Sequence, residues 1–133
     1  MVQKEIADRI AASPGNKNYG AYTVKLSMYA KPESKFHVSP NNFMPPPRVD
    51  STVIKLVRKN DVDSLLANKA CLVADAAFAH RRKTIANSVK KFFIDDTILT
   101  EKFLSAFESA DISLKERAEN LYPSDFINVA KNI

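Results

Sequence analysis

Two short runs hold the residues best suited to chemistry. The first is Phe43-Met44-Pro45-Pro46-Pro47-Arg48, which leads into a strand-like stretch. Three consecutive prolines fix three φ angles and remove three backbone donors. The segment is expected to be stiff and extended, and it can add no sheet rungs at those positions. A phenylalanine at the head of such a strut is either core beneath a proline-rich turn or a ring held ready for use. The second run is His80-Arg81-Arg82-Lys83-Thr84-Ile85-Ala86-Asn87-Ser88-Val89-Lys90-Lys91-Phe92. Read as a helix, it puts Arg82, Ile85, Val89 and Phe92 on one side and leaves Arg81, Lys83, Lys90 and Lys91 partly in water. Those cations suit phosphate contacts. A plain solvated helix face is the alternative.

Charge is compatible with an anionic partner and equally with a merely soluble basic surface. The net charge is +5, with +6 over residues 1–60, +2 over 61–95 and −3 over 96–133. Only the front and middle are basic, and nucleic acid is the usual partner of such a surface. Hydrophobic residues make up 45%, enough to bury a core. Cys71 is the sole cysteine. Its apolar surroundings point to a buried thiol rather than a nucleophile, and its isolation fits a reducing compartment. His37 and His80 lie far apart, without cysteines at ligand spacing, so no metal site is expected. No run approaches the length of a membrane span, and the first ten residues do not read as a signal peptide.

The elements that must position these residues are of two kinds. Residues 3–12 are expected to be helical, with Val2, Ile6 and Ile10 in step and Pro14-Gly15 as the stop. Over 21–30 the pattern is ambiguous. Tyr22, Val24, Leu26 and Met28 alternate like a strand, while Ala21, Val24 and Met28 suit one helical face. Residues 35–39 read as a short strand, and 51–59 as the best strand in the chain. Behind them five helices are predicted. The first carries Val62, Leu65, Leu66, Lys69, Leu72, Val73 and Ala76 at helical spacing, with Asp61 as its cap. The second is lined by Ile85, Val89, Phe92 and Phe93. The third holds Phe103 and Phe107, capped by Thr100. The fourth opens on a capping box at Ser113–Glu116. The fifth has Pro123 in its first turn and packs Phe126, Val129 and Ala130. The fold class is thus an α/β remnant over 1–59 plus an all-α unit over 60–133. Two strands alone are marginal, so the front reads as the end of a larger sheet domain.

Three segments together carry a resemblance. They are "MVQKEIADRIAASPGNKNYGAYTV", "NNFMPPPRVDSTVIKLVRK" and "AFAHRRKTIANSVKKF", in that order. The chain resembles KsgA-type ribosomal RNA adenine dimethyltransferases over nearly its whole length, through the specific patterns FxPPPxVDS and AFxxRRKTxxNS. "SADISLKERAENLYPSDFINVA" is similar to the closing segment of that family. The resemblance implies a Rossmann-like methyltransferase domain ending at residue 59 and a small helical C-terminal domain over 60–133. It implies methyl transfer from S-adenosylmethionine to two neighbouring adenines near the 3′ end of small-subunit rRNA, in the immature small ribosomal subunit and the cytoplasm. Phe43 would stack on the target adenine, held in place by Pro45, Pro46 and Pro47. Arg48, Arg81, Arg82, Lys83, Lys90 and Lys91 would meet RNA, although one arginine could instead pair with a carboxylate across the domain junction.

Other features set limits. Gly15 and Gly20 are the only glycines, so there is no glycine loop for a cofactor. The family's NLPY tetrapeptide has no counterpart, and Met44–Arg48 lacks the leading Asn or Asp and the closing aromatic of an amino-methyltransferase PPY motif. The chain is therefore expected to be the C-terminal half of the enzyme, to contain no catalytic residue, to bind S-adenosylmethionine weakly and to be inactive alone. Leu26–Ala30 and Tyr122 depart from the family's usual residues. Three competing readings remain. One is a non-enzymatic basic helical rRNA-binding module, and another is a helix-turn-helix DNA binder that would leave the β-rich front unused. The third is an antibiotic-resistance rRNA methyltransferase, which shares the Phe-Pro motif but usually lacks RRKT.

Overall fold

The structure is a computed structural model describing residues 1–133. The chain runs β1 (Val2–Gln3), α1 (Lys4–Ile10), α2 (Ala21–Ser27), β2 (Ala30–Val38), β3 (Ser51–Arg58), α3 (Ser64–Phe78), α4 (Ile85–Phe92), α5 (Thr97–Ser109) and α6 (Pro123–Ala130). Short 3₁₀ turns cover Pro40–Asn42 and Ala118–Asn120. Val2 begins no helix. It pairs with Thr52, so β1, β3 and β2 form a three-stranded antiparallel sheet in that order. In the β2–β3 hairpin Phe36 faces Val53 and Val38 faces Ser51, with an irregularity at Pro32–Ser34. Helix α1 lies on the face that carries Thr52 and Ile54. There Lys35, the partner of Ile54, reaches the Asp8 carboxylate at 3.6 Å.

Burial decides the ambiguous stretch. Thr23, Val24 and Met28 are buried while Tyr22 is half exposed, a helical period, and residues 21–27 form α2. β2 then begins at Ala30, ahead of the expected strand.

The caps also differ from expectation. Asp63, not Asp61, starts α3, its carboxylate accepting from the amides of Leu65 and Leu66 at 3.1 Å. Asp61 takes a left-handed φ of 57° just before it. α5 is capped by Asp96, which accepts from the Leu99 amide at 3.0 Å. Thr100 lies inside α5 and donates back to the Asp96 carbonyl at 2.9 Å. The box at Ser113–Glu116 opens no α-helix, which leaves four behind residue 60 rather than five. Glu116 turns forward to the Arg117 amide (3.1 Å) and the Asn120 side chain (2.6 Å) instead of back to Ser113. The segment's carbonyls are also engaged. Those of Glu116 and Leu114 accept from the first amides of α4, Ile85 and Ala86, at 2.8 and 3.1 Å. α6 begins at Pro123 as expected, with the Asp125 carboxylate accepting from the Tyr122 amide at 2.8 Å.

One hydrophobic core runs through the helices. Ala67, Ala70, Ala74 and Ala77 give α3 a small-residue face, and Phe103, Phe107, Phe126 and Val129 fill the space around it. Tyr19, Val24 and Met28, all before residue 60, belong to the same core. The Tyr19 ring meets Phe78 edge-on at 5.9 Å, and Phe78 stacks on Phe126 at 5.7 Å. The Tyr19 hydroxyl donates to the Leu121 carbonyl. Burial, reinforced by the nearby Asp125 carboxylate, pushes the Tyr19 phenol well above its ordinary range.

Tyr19→Phe should therefore keep the fold but lower stability by about 1–3 kcal/mol, because it orphans a buried carbonyl. A phenol raised by folding favours the native state below its unfolded value, near pH 10, and loses that contribution as pH rises. Chemical denaturation across pH 8–11 checks this: the alkaline decline should be shallower in Tyr19→Phe than in the parent.

Candidate nucleic-acid interface

The Phe43 loop joins β2 to β3 over residues 39–50. Its first turn is local. The Ser39 hydroxyl accepts from the Asn41 amide at 3.3 Å, and the Phe43 amide donates to the Pro40 carbonyl at 3.2 Å. The chain bends through Phe43–Pro45 and again at Arg48–Val49, so the proline run is a bent, φ-restricted loop rather than an extended strut. Pairing of the flanking strands brings the loop's ends together and forces those bends. Phe43 is half-buried, lies outside the core cluster and has no aromatic partner. Met44 beside it is 98% exposed, and Pro45, Pro46, Pro47 and Arg48 are exposed as well.

The second run is not one helix. Residues 79–83 form a turn, and α4 begins only at Ile85, so Arg82 does not share a helical face with Ile85 and Val89. Several of its side chains have clear structural work. Thr84 caps α4, its hydroxyl accepting from the Asn87 amide at 3.4 Å. The fully buried Ser88 hydroxyl donates to the Ala76 carbonyl at 2.7 Å and accepts from the His80 amide at 3.1 Å. That closes the end of α3 onto α4 without an orphaned polar atom. The Arg81 guanidinium binds the Glu119 carboxylate at 3.3 Å and the Asn16 carbonyl at 3.2 Å. Arg81 does pair with a carboxylate, but with Glu119 of the same helical half; what it grips across the expected junction is the Asn16 backbone carbonyl. Arg82, Lys83, Lys90 and Lys91 are exposed and, like Arg48, enter no ion pair. Lys90 and Lys91 sit in the last turn of α4, where cations also suit the helix dipole.

The loop at residues 13–20 links the two runs, a role that sequence reasoning did not assign to it. Arg81 holds its Asn16 carbonyl on one side. On the other, Lys17 and Asn18 line an open cleft of about 570 Å³ together with Gln3, Lys4, Arg48 and Asp50. Gly15, at φ 86°, makes the turn that sends its amide to the Glu119 carbonyl at 2.8 Å. That glycine was the available signal.

The residues present do not fit S-adenosylmethionine. Neither glycine follows a strand, and the cleft has a single apolar lining residue, Val49, to receive an adenine ring. No group of three His, Cys, Asp or Glu side chains could hold a metal ion. The half-buried Cys71 thiol is pushed up by burial, against a nucleophilic role. No helix is long and apolar enough to cross a membrane.

A family model described as "Ribosomal RNA adenine dimethylase" matches residues 1–133. The chain belongs to this family. Among its relatives, the "Ribosomal RNA small subunit methyltransferase A" of Myxococcus xanthus is 39% identical over 133 residues, covering 98% of this chain and 46% of the relative. The protein so named in Gloeobacter violaceus is 40% identical over 139 residues, covering 100% and 47%. The chain thus spans about half the length of the curated relatives it matches. In fold it is similar to a dimethyladenosine transferase from Plasmodium falciparum, with a TM-score of 0.77 and 24% identity over 96% of this chain and 53% of the other. It is also similar to the 23S rRNA methyltransferase ErmE, with a TM-score of 0.62 and 17% identity over 98% and 51%. The fold is therefore one found in methyltransferases.

Truncation should separate the two motifs. Phe43→Ala should cost less than about 2 kcal/mol, whereas a core phenylalanine such as Phe126→Ala should cost about 3–5 kcal/mol. Arg81→Ala should cost no more than about 1 kcal/mol, since the pair is partly exposed and the Asn16 carbonyl keeps the Tyr19 amide as a donor. Urea denaturation of the three variants tests the assignment; a Phe43→Ala loss equal to that of Phe126→Ala would make the ring core.

Proposed function

We propose that this chain supplies the base-holding and rRNA-facing part of an S-adenosylmethionine-dependent rRNA adenine dimethyltransferase. Its substrate is the pair of adjacent adenines near the 3′ end of small-subunit rRNA, presented by the immature small subunit in the cytoplasm. The observation that carries this reading is Phe43. It occupies the FxPPPxVDS position of a chain matched to the family along its whole length, yet it stands outside the core. An enzyme that modifies a base amine must take the base out of its stack and hold it by its faces. A ring on a proline-restricted loop does this with little ordering on binding. Residues 1–59 act as the end of a Rossmann-like sheet domain and 60–133 as a helical domain, tied together through Tyr19, Val24 and Met28. Arg48, Arg82, Lys83, Lys90 and Lys91 supply the electrostatic footing on RNA phosphates. S-adenosylmethionine supplies the methyl groups, from a site built mainly by the portion of the enzyme this chain does not span.

In the complete enzyme Phe43→Ala should lower methylation while most rRNA affinity remains, since it removes one stacking interaction worth about 1–3 kcal/mol and leaves the phosphate interactions in place. Arg82→Ala combined with Lys83→Ala should weaken rRNA binding and flatten its salt dependence by nearly one unit for each phosphate no longer neutralised. Filter binding over a salt series and a methyl-incorporation assay read both. Full methylation by Phe43→Ala would sink the stacking role. Titration calorimetry on the 133-residue chain should find S-adenosylmethionine affinity no tighter than about 1 mM. Micromolar binding would overturn the placement of the cofactor site.

A further inference from the structure

We propose that Lys17 and Arg48 form a two-sided grip for an RNA backbone phosphate in the cleft between the 13–20 loop and the Phe43 loop. This rests on the functional reading above and adds to it a site and a residue, Lys17.

The cleft's charges are unevenly committed. Glu5 is engaged by Arg9 at 2.8 Å. Asp8 is engaged by Lys4 at 3.1 Å and Lys35 at 3.6 Å. The hydrogen bond from Lys4 holds the Asp8 carboxyl below its ordinary range, so this carboxylate stays ionised at neutral pH. Lys17 and Arg48 line the same cleft with no ion pair. Asp50 is the one acid left there; its carboxylate lies 4.0 Å from the His37 imidazole and forms no ion pair with a lysine or arginine. Its backbone carbonyl is taken by the Lys4 amide at 2.9 Å. Lys17 and Arg48 set against Asp50 leave the uncommitted charge of the cleft positive, and Val49 is its one apolar lining residue, which suits an anion rather than an apolar ligand.

Both cations are carried on restrained backbone. Lys17 sits in a turn where the Asn16 side chain accepts from the Asn18 amide at 2.8 Å, and the Asn16 carbonyl accepts from the Tyr19 amide at 3.0 Å. Arg81 grips that same carbonyl, so the RRKT arginine positions Lys17 while not touching the phosphate itself. Arg48 directly follows Pro45, Pro46 and Pro47, and Phe43 precedes them. A phosphate at Arg48 is thus tied by a φ-restricted span to a base at Phe43. Arg48 offers a planar fork and Lys17 a point charge, a pairing that fits one phosphate approached from two sides.

The test is fluorescence anisotropy of a single-stranded RNA oligonucleotide containing two adjacent adenines, over a potassium chloride series. The parent should show a linear fall of log affinity with log salt. Lys17→Ala and Arg48→Ala should each bind more weakly and with a shallower slope, by up to about 0.7 for a single strand. Lys115→Ala, an exposed cation outside the cleft, should match the parent. One neutral methylphosphonate linkage beside the paired adenines should reproduce the loss in the parent, and Lys17→Ala should then add nothing. A parent that binds with a salt slope unchanged by Lys17→Ala overturns the grip and leaves the proposed function standing. A parent with no salt-dependent RNA binding overturns that function as well.

Discussion

The front of the chain is tied to the helical half by one buried hydrogen bond, from the Tyr19 hydroxyl to the Leu121 carbonyl. It joins residues 102 positions apart. The same ring packs edge-on against Phe78 and so reaches Phe126, at the centre of the helical core. A phenol buried this completely must find an acceptor, because a lone hydroxyl in an apolar site costs more than a hydrogen bond normally contributes. That requirement fixes where the 13–20 loop crosses the helices. Gly15 and Arg81 then secure the same loop at two further points, through the carbonyls of Glu119 and Asn16.

The basic run after α3 shows how a charged motif can be mostly architecture. Thr84 and Ser88 close the α3–α4 corner, and Arg81 ties it to the front of the chain. What remains for an anionic partner is Arg82, Lys83, Lys90 and Lys91, all exposed and unpaired. The order of effects matters here. A buried serine must satisfy its hydrogen bonds, whereas an exposed lysine gains little from any single protein partner and stays free for phosphate.

The hairpin carries the complementary device. Its loop has few internal hydrogen bonds and takes its order from the prolines and from the paired strand ends at Val38 and Ser51. Phe43 is half-buried at the head of this loop and is spared the freedom of a flexible tip. The sheet below is steadied by α1 and by the Lys35–Asp8 pair, which is exposed and adds little by itself.

The sequence by itself determined the elements whose signals are local. The β-branched run at Ser51–Arg58, the helices around Val73 and Val89, and Pro123 at the head of α6 each depend on patterns within one or two turns of chain. The two specific motifs marked the family in the same way. Tertiary structure decided whatever turned on a distant partner. Residues 21–27 became a helix because Val24 and Met28 enter a core made by α3 and its neighbours. The Ser113–Glu116 box failed because the first amides of α4 needed the carbonyls of Leu114 and Glu116. Arg81 could not be told from Arg82 by type or spacing, because its carboxylate partner lies 38 residues downstream. Lys17 was silent for the same reason: its meaning comes from a cleft shared with Arg48, and only the folded chain creates that cleft.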